Sequence, residues 1–404
     1  MPRESRIFYG WYIVAAVCFI TTITSGLAFY NLSVLLNAFV VERGFPVSLT
    51  SAATATFFIA GGFAGVVAGR LVDKFDPRAV IVVSAALGAV CLFSVGYLYS
   101  TWQLFLFHAA FGAAYGGTGL VSLTTIVTRW FNVKRALALS VAFTGLSLGG
   151  IFIAPFVALS IERGGLAGTG PWMAAVFFLG IAPVTWLALR GSPAQYGLEP
   201  DGGARAADGA PQVPVPSVTY AEAKRSGFFY AVSIAYLFLL GAQVGAIAHL
   251  FRLANVRDGS RTAALSLAFL AAASITGRLT GGWLLLRVKP RTFALVLMAV
   301  QGCSLFLLAF AGDRFAILAC VVMFGLTIGN SLMKHPILLA DRFGTLEYGR
   351  IYSMSQFVTM VGVAGGPAAI GVLYDWSAGY TIPFLVMAAA TLIGLLVLMF
   401  GTRK

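Results

Sequence analysis

Residues 265–289 read LSLAFLAAASITGRLTGGWLLLRVK, and Arg278 is the one charged residue inside its apolar run 265–286, with Arg287 and Lys289 closing the stretch. About 20 predominantly apolar residues suffice to cross a bilayer as a helix. The stretch is therefore read as a membrane span. A charged side chain near the bilayer interior costs roughly 3 kcal/mol even on the lenient insertion scale, so it normally faces a protein interior or cavity and has a partner. The rest of the chain has to supply that partner or leave it to a ligand.

The whole sequence has the same character. Of its 404 residues 59% are hydrophobic and 10% charged, and the mean hydropathy is +0.90, far outside the range of soluble globular domains. Apolar runs of spanning length fall at about 9–39, 48–71, 79–99, 103–128, 135–161 and 171–189, and again at 228–251, 263–286, 293–311, 315–340, 351–374 and 382–400. An all-α membrane protein of twelve transmembrane helices is expected. The first run is too long for the core of a cleavable signal, so it is taken as the first span.

Residues 191–226, rich in Gly, Pro, Ala and charge, read as a cytoplasmic linker between two pseudo-symmetric six-helix bundles, 1–190 and 227–404. Its last part, 218–225, has the pattern of a short amphipathic surface helix. With both termini in the cytoplasm, most of the 27 Lys and Arg lie in or beside cytoplasmic segments, as the positive-inside rule requires. A multi-pass protein of the cell's inner (plasma) membrane follows. The +13 formal charge is thereby assigned to orientation, and no nucleic acid partner is expected. The external loop with Arg252, Arg257 and Arg261 is read either as a tolerated loop or as a collar attracting anions.

Cys18, Cys91, Cys303 and Cys320 all fall in spans without CxxC spacing, which argues against disulfides and metal sites. No Walker loop, nucleophile elbow or zinc spacing occurs. No enzyme activity, cofactor or metal is expected.

The two halves read as repeats. Phe111-Gly112, Gly116 and Arg129 in the fourth span recur with the same spacing as Phe324-Gly325, Gly329 and Arg342 in the tenth. Internal duplication in transporters places the substrate site where the halves meet, near the bilayer midplane. The 46 glycines cluster as in Gly61, Gly62, Gly65 and Gly69 or Gly362, Gly365 and Gly366, which is read as close helix packing. Pro155 and Pro367 are expected to kink their spans.

The segment GRLVDKFDPR from Gly69 resembles the loop motif between the second and third helices of the major facilitator superfamily, with Gly69, Asp73, Lys74 and Arg78 on its positions. The second-half copy keeps Gly282, Arg287 and Arg291 but has Leu286 in place of the acid. The resemblance implies a conformational lock built from the first copy. WFNVKRALALSVAFTGLSLGG from Trp130 is similar to the fifth-helix signature of the monocarboxylate transporter family. Tyr9-Gly10-Trp11 resembles the first-helix motif of its oxalate/formate antiporter group. That likeness implies a secondary active carrier of small organic anions working by rocking of its halves. Where proton-coupled lactate and pyruvate carriers have an aspartate one turn before the eighth-helix arginine, this chain has Ser274, and their first-helix lysine falls near Tyr30 or Asn31. The antiporters' eleventh-helix lysine is absent, and Lys334 on the tenth is the nearest substitute.

All 14 acidic residues fall in loops or at span ends. Arg278 and Lys334 thus lack a carboxylate inside the membrane, and leaving a buried cation unpaired is costly. An anionic substrate would complete the pair, because the arginine fork can hold a carboxylate by two parallel hydrogen bonds. The expected substrate-binding set is Arg278, Lys334, Tyr115, Tyr30, Asn31, Asn330 and Gln356, with Gln243 and Ser355 as further lining. His335 and His249 are the candidate proton relays, and His108 is read as structural.

The reading is a transporter of short monocarboxylates of the lactate, pyruvate or formate kind, acting as a monomer with protons or a counter-anion as co-substrate. The alternative is an efflux carrier for drugs or metalloid-organic anions, although the fifth helix reads GLSLGGIFIAP without the proline that follows the glycine pair in drug antiporters. A signalling receptor would need a cytoplasmic domain for which linker and tails are too short.

Overall fold

The structure, a computed structural model, describes residues 8–131, 134–191, 193–196, 198–200, 218–284, 287–343 and 348–402. Among these residues it is helical with no strand. Eleven helices are long and apolar enough to cross a membrane: Gly10–Arg43, Val47–Ala68, Pro77–Tyr97, Thr101–Trp130, Leu137–Ala188, Gly227–Asp258, Ser260–Gly281, Pro290–Phe310, Arg314–Ser331, Met354–Ser377 and Thr381–Gly401. The fifth is 52 residues long, about twice what a bilayer needs. It kinks at Gly165, whose φ of 64° and ψ of −177° lie in a region open essentially to glycine. It therefore supplies spans 5 and 6, and the described chain carries the twelve expected spans.

Large apolar side chains such as Phe63, Val83, Phe152, Leu187 and Phe357 are exposed, as an acyl-chain solvent allows. Helices surrounded by lipid gain little from burying apolar surface against one another, so they associate through close packing of small residues and hydrogen bonds. The glycine clusters do this here. Thr219 and Glu222 close a reciprocal cap on the short surface helix Tyr220–Arg225, within the stretch expected to form one.

The backbone forms two compact units. Unit 1 comprises Met1–Asn31 with Ile59–Pro211, and unit 2 comprises Leu32–Phe58 with Gln212–Lys404. In unit 1, spans 1 and 5 meet through two facing widened turns, the π-helical Ser25–Tyr30 and Gly149–Ile153. A Cβ on Gly26 would strike Ile153 and the Gly149 carbonyl. Thr21 donates to the Ala142 carbonyl at 3.0 Å and Ser25 to that of Leu146 at 2.7 Å. Pro155 sits in the first turn of the helix that follows the widened turn, where its missing N–H costs nothing.

At one end of unit 1 the two short signatures come together. Tyr9 packs on Trp130 and Trp11 on Phe131, with ring centroids 5.5 and 5.1 Å apart. Tyr9 Oη donates to the Ala188 carbonyl at 3.0 Å and Trp130 Nε1 to that of Arg190 at 2.9 Å, so this aromatic cluster satisfies the end of span 6.

Unit 2 is built on span 7. Phe229, Val232, Tyr236, Leu239 and Leu240 pack with Met298, Leu339, Ile351 and Leu398 from spans 9 to 12. Gly241 and Gly362 bring spans 7 and 11 into backbone contact. The segment Leu32–Phe58 is clasped into this unit by polar contacts. Ser33 Oγ accepts from the backbone N–H of Phe251, Asn37 accepts from Arg252, Asp375 accepts from the Ser48 N–H, and Ser51 meets His249.

Candidate functional site

Arg278 lies on the helix Ser260–Leu284 and is half-buried. Its position is set by the seam between spans 8 and 10, where glycines of each helix face the backbone of the other. Gly277 lies against the main chain of Leu326, Gly325 against the carbonyl of Leu270, and Gly329 against the Ser274 carbonyl. A Cβ on Gly329 would come within 3.0 Å of Arg278 Cβ. Asn330 donates its amide to the Gly277 carbonyl, the peptide group directly before Arg278, and fills the space beside Gly281.

Unit 1 repeats this seam between spans 2 and 4, with Gly116 against Gly61 and Gly65, and Gly61 against the Gly112 carbonyl. The offset that pairs Phe111 with Phe324 and Gly116 with Gly329 also pairs Gly61 with Ser274 and Gly65 with Arg278. The two seams are thus matched, and one carries a guanidinium where the other has a hydrogen atom.

Tyr30, Asn31 and Tyr115 belong to unit 1. Tyr30 is buried at the end of the π-helical turn. Asn31 is buried and donates to the Leu27 carbonyl at 3.0 Å and to Met173 Sδ at 3.5 Å, while its Oδ1 has no hydrogen-bond partner among the described residues. Tyr115 is half-buried beside the span 2–4 seam, its ring edge 3.8 Å from a Cβ placed on Gly61. In unit 2 the buried Gln243 likewise leaves Oε1 without a partner. Lys334, Gly69, Asp73 and Lys74 lie outside the residues whose side chains the structure describes.

Unit 2 brings His335 and Gln356 together, with Ser355 Oγ 2.7 Å from His335 Nε2 and the Gln356 side chain beside the imidazole. His249 is elsewhere in that unit. Its Nε2 is 3.0 Å from Ser51 Oγ and 3.1 Å from the Pro367 carbonyl, and its Nδ1 is 3.2 Å from Tyr380 Oη. Ser51, Tyr380, Tyr236 and Tyr352 were not legible as partners of these histidines. They come from other elements, and polarity in or beside an apolar run is their only sequence signal.

Several cations have structural partners. Arg78 forks onto Asp76, with Nη2 2.7 Å from Oδ2, and its guanidinium lies 5.2 Å from the Trp186 ring centroid. That side-chain hydrogen bond holds the Asp76 carboxyl below the usual carboxylate range. Its counterpart Arg291 bonds Thr402 Oγ1 and the Met399 carbonyl, both at 2.7 Å, at the end of span 12. Arg252 and Arg257, expected in a loop, lie on the last turns of the helix Gly227–Asp258, and Arg257 binds the Leu308, Ala309 and Ala311 carbonyls at 2.6 to 2.8 Å, capping span 9. Arg252 holds Asn37 and lies over the Tyr374 ring. Two members of the suspected collar are therefore engaged in intramolecular bonds.

A family model described as Major Facilitator Superfamily matches residues 18–333. The chain is 24% identical over 395 residues to monocarboxylate transporter 13 of Bos taurus, covering 96% of this chain and 88% of that protein. It is 27% identical over 318 residues to an MFS-type transporter of Gibberella moniliformis, covering 77% and 71%. Its fold matches the crystal structure of a bacterial homologue of the human lysosomal transporter Spinster with a TM-score of 0.75 at 15% identity, over 99% and 98% of the two chains. Twelve spans, a duplicated pattern of glycine seams and a family match over most of the length agree, and the chain belongs to the Major Facilitator Superfamily, as a multi-pass membrane transporter and not an enzyme.

Proposed function

We propose that this transporter carries small organic anions, short monocarboxylates of the lactate, pyruvate or formate kind, by alternating access, with the carboxylate held by Arg278. The observation that supports this is the asymmetry of the two matched seams: Gly65 in one and the half-buried Arg278 in the other. An ionisable residue in the middle of a span marks a substrate or ion pathway by default, and a guanidinium there selects for negative charge. The planar fork of arginine fits a carboxylate through two parallel charge-assisted bonds.

The relative named monocarboxylate transporter 13 aligns over 96% of the chain, which favours the same substrate class. Lys334, Tyr115, Tyr30, Asn31 and Gln356 complete the proposed substrate-binding set, and Asn330 contributes by holding the turn that carries Arg278. The carrier is assigned to the cell's inner (plasma) membrane as a monomer.

Uptake of labelled lactate into proteoliposomes tests the role of the arginine. Truncating one partner of a buried charge pair costs roughly 3 kcal/mol, so Arg278→Ala is expected to lower apparent affinity by about 100-fold. Arg278→Lys, which keeps the charge and loses the fork, should fall between. Unchanged uptake by well-folded Arg278→Ala protein would exclude this carboxylate site.

A further inference from the structure

The chain has three histidines, all buried, and their hydrogen bonds sort them. His108 directs Nδ1 at the Leu104 carbonyl one turn back, 2.8 Å away, so that nitrogen carries a proton and ties the ring to its own helix. His249 has partners on both sides. Because the Pro367 carbonyl only accepts, Nε2 carries the proton there and Nδ1 accepts from the Tyr380 hydroxyl.

His335 differs. Ser233 Oγ donates to the Phe229 carbonyl at 2.8 Å, so it accepts from Ser355 Oγ at 2.7 Å. Ser355, having given its proton, accepts from His335 Nε2–H at 2.7 Å. With the Ser233 proton on the Phe229 carbonyl, this order of donors gives the Nε2–H tautomer and leaves the lone pair on Nδ1. His335 is 1% exposed, and among the described residues Nδ1 has no hydrogen-bond partner. A buried acceptor left open is costly, and the most economical ligand for it is a proton.

The geometry points to His335 Nδ1 as a proton-binding site of this carrier. The lone pair takes up H⁺, no bond breaks, and the imidazole becomes an imidazolium with Nε2–H still bonded to Ser355. Tyr236 stacks on the ring at a centroid distance of 4.6 Å and 18°, and Tyr352 flanks it at 5.4 Å. Their faces suit a cation. The groups that face the ring are Ser233 and Tyr236 from span 7 and Tyr352, Ser355 and Gln356 from span 11, all neutral at neutral pH; Lys334, its neighbour on span 10, lies outside the described side chains. A lone buried imidazolium is disfavoured by desolvation, so an anion bound in the same unit strengthens proton binding, and the proton strengthens anion binding by the same factor. This coupling rests on the Arg278 reading; the proton site itself does not.

Nuclear magnetic resonance of the full-length protein in lipid nanodiscs, isotope-labelled at histidine, tests both from pH 8 to pH 4. At pH 8 His335 is expected as the Nε2–H tautomer. On acidification its ring should protonate, and that signal should be absent from His335→Gln, which keeps an N–H for Ser355. Should that variant misfold, Ser355→Ala is expected to lose the fixed tautomer in the same spectrum. Excess lactate should raise the proton affinity of His335 by about tenfold. A ring that stays neutral to pH 4, or one carrying its proton on Nδ1, overturns the site. Proton binding that ignores lactate leaves the site standing and removes the anion coupling.

Discussion

Asn330 shows how a polar residue in a span can be read in two ways until its neighbours are known. Sequence makes it a cavity-lining amide; the fold gives its donor to the Gly277 carbonyl, so it holds the turn bearing Arg278. The histidines behave similarly, since the hydrogen bonds that distinguish His249 from His335 come from partners on other elements. Asp76 offers a residue-scale test. Arg78 holds its carboxyl below the usual range, so the folded pKa lies beneath the unfolded value of about 3.9. The stabilisation is therefore present above that value and lost as pH falls through the folded pKa. The difference in thermal unfolding temperature between wild type and Arg78→Gln should stay constant from pH 8 to pH 5 and shrink only below about pH 4.

At the scale of elements, the seams carry the architecture. The fifth-helix signature resembles a transporter motif, and in the fold its Ala142, Gly145, Leu146 and Gly149 form the surface that receives Thr21, Ser25 and Gly26 of span 1. That stretch acts as a helix-packing surface. The span 8–10 seam predicts a clear contrast between two glycines. Gly329→Ala places a methyl group on the Ser274 carbonyl, with backbone on that side unable to rotate away. Overpacking of this kind costs about 1–3 kcal/mol, and a lower melting temperature in detergent is expected. Gly62→Ala meets nothing within 4 Å and gains helix propensity, so its melting temperature should hold or rise. Equal losses at both positions would remove the seam as the cause.

For the whole molecule, the charge distribution predicts an orientation that labelling can check. A single cysteine at Ala207, in the stretch between spans 6 and 7, should react with a membrane-impermeant maleimide only from the cytoplasmic face. One at Gly312, between spans 9 and 10 with open space around it, should react only from outside. The opposite pattern would invert every assignment of inside and outside made for the loops. The division into units does not follow chain order: Leu32–Phe58 joins the later part of the chain because Ser33, Asn37, Ser48 and Ser51 find their partners on spans 7 and 11.

The sequence by itself determined the spans, their number, the duplication and the solitary arginine of span 8. Apolar length and the paucity of charge are local properties, and the lipid solvent permits few backbone solutions other than helices. The short helix before span 7 and the glycine packing were also legible in outline, through Gly and cap residues, whereas the kink at Gly165 was not, the kinks having been expected at Pro155 and Pro367. Only the tertiary structure decided that matched glycine seams flank Gly65 and Arg278, that Asn330 serves the backbone, that Arg252 and Arg257 are engaged, and that His335 Nδ1 is left open among the described residues. Each of these depends on which helix face meets which. Side chains far apart in the chain complete one another's hydrogen bonds there, and no periodicity along the sequence encodes that pairing.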